Sequence, residues 1–273
     1  MEKVISRDGT PIAYDRSGTG PALILVAGAL TDRADMASLA SLLSASFTVF
    51  NYDRRGRGDS GDTQPYAVER ELEDLDAVIS AAGEPVFLYG HSSGAVLALR
   101  AAGLYPGRVK AVVAYEPPFI VDSSRLPVQK RYIETLRSLD ARGQPGEMVK
   151  LFLDFLGMPE SVISRAESSP DWPGMESKAH TLIYDMLITK DGQTGRPLSP
   201  KLVRQLAANR CPTLILAGEA SQEWARNAAR AVVQVTLPGE FRLLEGQTHN
   251  VADQALFPVL VDFFLSSQLA KQA

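Results

Sequence analysis

The chain contains 273 residues, of which 45% are hydrophobic, and its formal net charge at pH 7 is −4. This length and apolar content are sufficient for one large α/β core, with or without a lid. The charges are scattered, which argues against nucleic acid as a partner. No apolar segment has the length of a signal core or a membrane span, so the sequence argues against a membrane as partner and predicts a cytoplasmic protein.

The predicted elements alternate between short apolar runs and helical patterns, which favours a mainly parallel sheet. The first two runs flank Asp8-Gly9, a typical hairpin signal. The predicted strands are residues 4–6, 11–14, 22–27, 47–52, 85–90, 109–115, 212–217 and 241–244. The predicted helices outside the longest gap are residues 36–43, 95–105, 222–233 and 253–269. We therefore predict an α/β protein with an eight-stranded, mostly parallel sheet flanked by helices.

The alternation stops between Tyr115 and Pro212. Within this gap, glycines and prolines interrupt the chain repeatedly, yet its large apolar residues argue against a loose linker. Helical patterns lie at about residues 127–141, 145–156 and 174–188. We predict a core formed by residues 1–118 and 201–273, with residues 119–200 inserted as a helical cap over the carboxyl edge of the sheet.

The pentapeptide Gly90-His91-Ser92-Ser93-Gly94 follows an apolar run and opens a helical pattern. A Gly-x-Ser-x-Gly motif between a strand and a helix is typical of a nucleophile elbow, where the serine occupies a sharp and strained turn. Side chains at positions 90 and 94 would clash, since the chain passes close to itself there. The motif therefore predicts that Ser92 is a nucleophile at the carboxyl edge of the sheet, beside the positive end of a helix.

A serine hydroxyl is a poor nucleophile at neutral pH and needs a general base. His249 is the candidate base, because it lies in a predicted loop between the last strand and the terminal helix. His91 is expected to point to the opposite side of the elbow and to serve packing. His180 is expected on the surface of the predicted cap or at the rim of its pocket.

Cysteine and histidine usage argues against a metal site. The single cysteine, Cys211, forbids an internal disulfide and is expected to be a buried packing residue. The histidines and this cysteine form no cluster in the sequence, so a structural zinc site is not expected. The predicted chemistry requires neither a metal nor an organic cofactor.

Residues 52–60, YDRRGRGDS, resemble the turn after the fourth strand of α/β-hydrolases. Together with the elbow and the position of His249, this segment makes the chain similar to that superfamily along nearly its whole length. The resemblance implies an α/β-hydrolase fold. It also implies that Asp53 and the neighbouring arginines brace loops and do no chemistry.

The resemblance also implies where the oxyanion of the reaction binds. Residues 26–29, VAGA, occupy the place where the family usually has a His-Gly pair, and Ala27 replaces the histidine. The family uses the backbone N–H that follows this glycine. By position, the resemblance therefore implies an oxyanion hole formed by the N–H groups of Ala29 and Ser93.

The orienting acid departs from the usual family pattern. Most members have an aspartate where this chain has Ser221. Three alternatives follow for the orienting acid. It is Glu219, or it is a residue after the strand that follows the elbow, or the enzyme uses a Ser–His dyad without an acid. We favour Glu116, because a carboxylate that ends an apolar strand is unfavourable unless paired, and Pro117 restricts it to an extended conformation. The fungal zearalenone lactonases resemble this layout: their acid is a glutamate the same distance, here 24 residues, after the serine.

The triad and an apolar pocket predict hydrolysis of an uncharged, moderately hydrophobic ester or lactone. The candidate pocket residues are Leu30, Phe119, Phe152, Trp172, Met175, Tyr184, Met186 and Trp224. The same triad also serves C–C bond hydrolysis, thioester hydrolysis and perhydrolysis. The sequence also allows two other functions, a ligand receptor on a hydrolase scaffold and a structural protein. It does not decide between a monomer and a homodimer.

Overall fold

The computed structural model describes residues 1–83, 85–193, 195 and 197–269. Parts of the predicted core and cap, namely Glu84, Thr194, Arg196 and residues 270–273, lie outside the described residues. The described strands are β1 (Glu2–Ile5), β2 (Pro11–Ser17), β3 (Ala22–Val26), β4 (Thr48–Tyr52), β5 (Val86–His91), β6 (Val109–Tyr115), β7 (Thr213–Gly218) and β8 (Gly239–Leu244). Each predicted strand overlaps one of them.

The strands form one sheet in the order β1-β2-β4-β3-β5-β6-β7-β8. Strand β2 is antiparallel to both of its neighbours, and the other neighbouring strands are parallel. In a parallel sheet the carboxyl ends of the strands meet at one edge, so the residues that follow β3, β5, β6, β7 and β8 come together there. The predicted fold class is therefore confirmed.

The helices cover both faces of the sheet. They are α1 (Ala37–Leu43), α2 (Val68–Ala82), α3 (Ser93–Leu104), α4 (Leu126–Ala141), α5 (Pro145–Phe155), α6 (Glu160–Glu167), α7 (Trp172–Lys178), α8 (Leu182–Thr189), α9 (Pro200–Ala207), α10 (Glu223–Val235) and α11 (Asp253–Leu269). Within the described ranges, no helix has the length and apolar character needed to cross a membrane.

Alternation of side chains along the strands produces two apolar layers. Ile24 and Val26 of β3 contribute to the layer that contains α2, α3, α9 and α10. Leu23 and Leu25 of the same strand contribute to the opposite layer, which contains α1 and α11. The single cysteine, Cys211, is buried in the first layer, as expected.

Helices α4 to α8 lie between β6 and β7 in the chain and have a core of their own, which includes Leu136, Val149 and Leu182. The prediction of one helix over 174–188 is wrong, because a short 3₁₀ turn at Ala179–Thr181 separates α7 from α8. Helix α6 was not predicted, and none of its residues is buried. The cap boundaries at 119 and 200 remain a prediction.

Candidate active site

Ser92 lies in the turn between β5 and α3, where its φ is 54° and its ψ is −122°. Its N–H donates to the carbonyl oxygen of Tyr115 at 2.9 Å, which fixes the turn against β6. A Cβ at Gly90 would collide with the Gly94 carbonyl oxygen, and one at Gly94 would collide with the carbonyl oxygen of Val26. The two glycines therefore meet the steric requirement that the motif predicts.

Three non-glycine residues in the described part of the chain have a positive φ, and all three lie at this edge of the sheet. They are Leu30 at 56°, Ser92 at 54° and Glu116 at 45°. Such strained conformations persist where the surrounding structure holds them, and they cluster at functional sites. The expectation that Pro117 keeps Glu116 extended is wrong. The Glu116 N–H donates to Leu216 in the next strand at 2.9 Å, and the chain turns sharply at this point.

Glu116 is 1% exposed and contacts His249 directly, with 2.7 Å between Oε2 and the ring Nδ1. Its other oxygen, Oε1, accepts hydrogen bonds from the Gly218 N–H at 2.8 Å and from the Ser221 hydroxyl at 2.5 Å. Burial alone would raise the pKa of Glu116, but the bonds from His249, Ser221 and Gly218 outweigh burial and lower it. The carboxylate is therefore charged and directed at the Nδ1 side of His249.

Glu219, the alternative acid, is exposed and lies away from this contact. Its Oε2 accepts a hydrogen bond from the Gly246 N–H at 3.3 Å. Within the described structure it makes no hydrogen bond with His249. Ser221, at the position where most family members have the acid, instead donates to Glu116.

Ser92 and His249 line the same cavity. Among the described residues, the structure assigns no direct hydrogen bond between the Ser92 hydroxyl and the His249 ring. Catalytic hydrogen bonds are commonly long before substrate binds, so this separation is compatible with proton transfer in a complex. The Nδ1 contact with Glu116 leaves Nε2 as the ring atom available to Ser92 or substrate.

The predicted oxyanion residues, Ala29 and Ser93, both lie on the wall of a small cavity beside Ser92. Arg57 donates hydrogen bonds to the carbonyl oxygens of Gly28 and Thr31, on either side of Ala29. These bonds orient the loop through the carbonyl oxygens of Gly28 and Thr31. The Ala29 N–H has no hydrogen-bond acceptor among the described residues.

Asp185 from α8 is a residue that sequence reasoning missed. It accepts a hydrogen bond from the Ser93 hydroxyl at 2.7 Å and pairs with Arg54 at 2.9 Å and with Arg57 at 2.7 Å. Burial would raise the pKa of Asp185, but the two arginines and Ser93 lower it. An aspartate inside the apolar run LIYDMLIT was the available signal, since a buried charge requires partners.

Two cavities meet at Ser92. The larger has a volume of about 400 Å³ and is bounded by α1, the region around His249 and the α5–α7 helices. The smaller has a volume of about 40 Å³ and lies toward Pro118 and Gln193. Five of the eight predicted pocket residues line one or both cavities, namely Leu30, Phe152, Met175, Met186 and Trp224.

The other three predicted pocket residues have structural roles elsewhere in the described molecule. Phe119 is fully buried against Gly192. Trp172 belongs to the core of the inserted helices. Tyr184 stacks on Tyr66 with ring centroids 3.8 Å apart, and its hydroxyl donates to Asp62. Aromatic character alone did not distinguish core positions from cavity positions.

His91 does not point away from the site, so that expectation is wrong. It lines the larger cavity, and its Nε2 lies 2.9 Å from the backbone oxygen of His249. Burial, together with the nearby His249, lowers the pKa of His91 to about 4. A neutral His91 can therefore donate to that oxygen and hold the loop that carries His249. His180 is 42% exposed and lies 3.5 Å from Asp62.

No group of three or more His, Cys, Asp or Glu side chains in the described ranges is arranged to hold a metal ion.

Residues 23–257 match the sequence model of the Alpha/beta hydrolase family. The chain belongs to this family of hydrolases. The solved structure of an alpha/beta hydrolase from Sphaerobacter thermophilus DSM 20745 is 46% identical, with a TM-score of 0.87 over 96% of this chain and 100% of that chain.

Two curated relatives are also hydrolases by name. The uncharacterized hydrolase YraK of Bacillus subtilis is 28% identical over 149 residues, which are 52% of this chain and 54% of YraK. The 2-(acetamidomethylene)succinate hydrolase of Mesorhizobium japonicum is 30% identical over 220 residues, which are 75% of this chain and 73% of that protein. The match therefore spans about half the length of YraK.

The lowered pKa of Glu116 makes a prediction about stability at acid pH. Because the folded-state pKa lies below the usual value of 4.5, the ionised carboxylate stabilises the fold above pH 4.5, and this contribution disappears as the pH falls through the folded-state pKa. Urea unfolding from pH 6 to pH 3 should therefore show a smaller loss of unfolding free energy for Glu116→Gln than for the wild type. Equal losses would contradict the assignment.

Proposed function

We propose that the protein is a serine hydrolase that cleaves a carboxylic ester through an acyl-enzyme on Ser92. The observation that carries the proposal is the 2.7 Å contact between Glu116 and His249, beside a serine in a strained elbow. A charged acid, an oriented imidazole and a nucleophile on the wall of a cavity are the groups that acyl transfer to water requires.

The first half of the reaction forms the acyl-enzyme. The Ser92 oxygen attacks the ester carbonyl carbon while Nε2 of His249 accepts the hydroxyl proton. Glu116 holds the His249 tautomer and stabilises the imidazolium that forms. The N–H groups of Ala29 and Ser93 stabilise the negative charge on the carbonyl oxygen, and His249 then gives its proton to the leaving alcohol as the C–O bond breaks.

The second half returns the enzyme to its starting state. Nε2 of His249 accepts a proton from water as the water oxygen attacks the acyl carbon. The tetrahedral intermediate collapses, Ser92 leaves with the proton from His249, and a carboxylic acid is released. No atom beyond water and the ester is consumed.

The charges around Ser92 favour an uncharged substrate. The larger cavity is lined by the carboxylates Asp35 and Asp253, and none of its described lining residues is a lysine or an arginine. A carboxylate-bearing substrate, such as the one that names the Mesorhizobium japonicum relative, would lack a positively charged partner there. An ester or lactone without a charge near the reacting carbonyl group fits this lining better.

The unequal cavities suggest which part of the ester each one holds. His249 lines the larger cavity, and the leaving oxygen must lie beside His249 to receive its proton. The alcohol part therefore extends into the space of about 400 Å³. The acyl part occupies the space of about 40 Å³ between Ser93, Met186 and Trp224, which is room for about three water-sized groups. We propose short acyl groups on a larger, apolar alcohol.

Ser92→Ala should lower kcat/KM by about 10⁴-fold or more, because the nucleophile is removed and only oxyanion stabilisation and binding remain. Proton release in a pH-stat with acetyl esters, lactones and thioesters measures this loss. His180→Ala is the matched control, and it should keep wild-type turnover. Full activity in a folded Ser92→Ala protein would refute the acyl-enzyme. Folding is checked by the thermal unfolding midpoint.

Glu116→Ala should lower kcat by about 10⁴-fold, because His249 loses the group that holds its tautomer. The Ser221 hydroxyl lies 2.5 Å from the Glu116 carboxylate, so a carboxylate at position 221 has room once Glu116 is truncated. We expect the double variant Glu116→Ala/Ser221→Asp to recover at least about 10-fold of the lost rate. Steady-state kinetics on an acetyl ester measures both effects.

Glu219→Ala is the control for this acid assignment and should change kcat by less than about 3-fold. A loss at Glu219 as large as the loss at Glu116 would contradict the proposed triad.

Met186→Ala should widen the smaller cavity and shift acyl-chain preference. With esters of one alcohol and acyl chains of two to eight carbons, the ratio of kcat/KM for hexanoyl over acetyl should rise by about 10-fold or more, since each buried methylene contributes to selectivity. Met175→Ala, which lies on the larger cavity, should leave this ratio unchanged. An unchanged ratio in Met186→Ala would reverse the assignment of the two cavities.

A further inference from the structure

A separate cavity of about 410 Å³ lies between helices α2, α3 and α9. Its described lining shares no residue with the two cavities at Ser92. Helices α3 and α9 are in close contact at its floor, because a Cβ on Gly103 would collide with the carbonyl oxygen of Gln205. The floor of the cavity is therefore formed by closely packed helices.

Arg100 lines this cavity and is only 9% exposed. Within the described structure it has no hydrogen-bond acceptor and no ion-pair partner. A guanidinium group carries five N–H donors and stays charged, so an arginine without a protein partner can bind an anion. None of the Arg100 nitrogens is among the described side-chain atoms that are fully buried without a partner, so its guanidinium remains accessible from the cavity.

The charge around Arg100 is positive. Arg204 and Lys201 also line the cavity, although Lys201 lies 3.4 Å from Asp191 and shares its charge with that carboxylate. Glu69 is the one carboxylate on the described lining, and no ion pair joins it to Arg100 or Arg204. Two guanidinium groups therefore face a single, exposed carboxylate.

Apolar side chains complete the walls. Leu72 is buried, whereas Leu104 is 55% exposed at the opening. An exposed leucine beside an unpaired arginine whose guanidinium is accessible from the cavity offers one surface for an apolar group and one for an anion. Arginine binds carboxylate and phosphate oxygens through two parallel hydrogen bonds, which are stronger than neutral ones.

We propose that this cavity binds a small organic oxyanion, with a phosphate or carboxylate group on Arg100 and an apolar body against Leu72 and Leu104. Arg204 adds attraction, and Glu69 opposes it. The site is separate from the catalytic cavity and does not depend on the proposed ester hydrolysis.

Isothermal titration calorimetry at constant ionic strength tests the site with phenyl phosphate and benzoate as probes. Arg100→Gln should weaken binding of the preferred probe by about 10-fold or more, because the charged hydrogen bonds are lost. Glu69→Gln should strengthen it by about 3-fold through removal of a like charge. Arg137→Gln, an exposed arginine on α4, is the control for the change in net charge and should bind as the wild type does.

Tighter binding of phenyl phosphate would identify a phosphate ligand, and tighter binding of benzoate a carboxylate ligand; either supports the site. Ser92→Ala should retain full binding, since the probes are expected away from the catalytic cavity. Equal affinity in Arg100→Gln and wild type, or loss of binding in Ser92→Ala, would overturn the proposal. If Arg100→Gln does not fold, unchanged affinity in Glu69→Gln would overturn it as well.

Discussion

The close approach of helix α3 to strand β3 is the constraint on which the site depends. Gly94 has no side chain, so α3 begins directly against the carbonyl oxygens of Val26 and Ala27. This contact brings the first amide of the helix, that of Ser93, next to the loop that carries Ala29. A larger residue at position 94 would push the helix away from the strand and separate the two amides. The geometry of the proposed oxyanion hole therefore follows from packing in the middle of the sheet.

Buried charges fix the inserted helices to the same point. Asp185 in α8 contacts Ser93, Arg54 and Arg57, and Arg57 in turn holds the loop around Ala29. A buried ion pair of this kind adds little net stability, because desolvation offsets the attraction between the charges. The ion pairs do fix the relative positions of the three side chains, because leaving any one of these charges buried without its partners would be unfavourable. Helix α8 therefore has a defined position relative to the elbow.

The three residues assigned to the triad could be found in the sequence because a parallel sheet collects the ends of its strands at one edge. Ser92 follows β5, Glu116 follows β6 and His249 follows β8, so the predicted strands placed them at one edge, and the elbow motif and the family resemblance singled them out. The pocket was predicted less well. Which face of an inserted helix covers the cavity depends on how five helices pack on one another, and the sequence pattern does not contain that information.

Particular failures show the same limit. Phe119 has the apolar, aromatic character of a pocket residue, yet the chain turns it into the core beside Gly192. His91 was expected on the opposite side of the elbow from Ser92, yet it lines the larger cavity together with Ser92. Asp185 was missed because its partners, Arg54 and Ser93, are 131 and 92 residues away in sequence.

The adjacency of β6 and β7 explains how the acid can follow either strand. Their carboxyl ends are neighbours in the sheet, and Glu116 after β6 reaches Ser221 after β7. A second carboxylate at position 221 would face Glu116 across a hydrogen-bond distance, and the repulsion would raise the pKa of at least one of them. A hydroxyl there donates a hydrogen bond to the acid instead. An acid after β6 is compatible with a hydrogen-bond donor at position 221 and not with a second carboxylate there. The presence of Ser221 therefore supports Glu116 as the partner of His249.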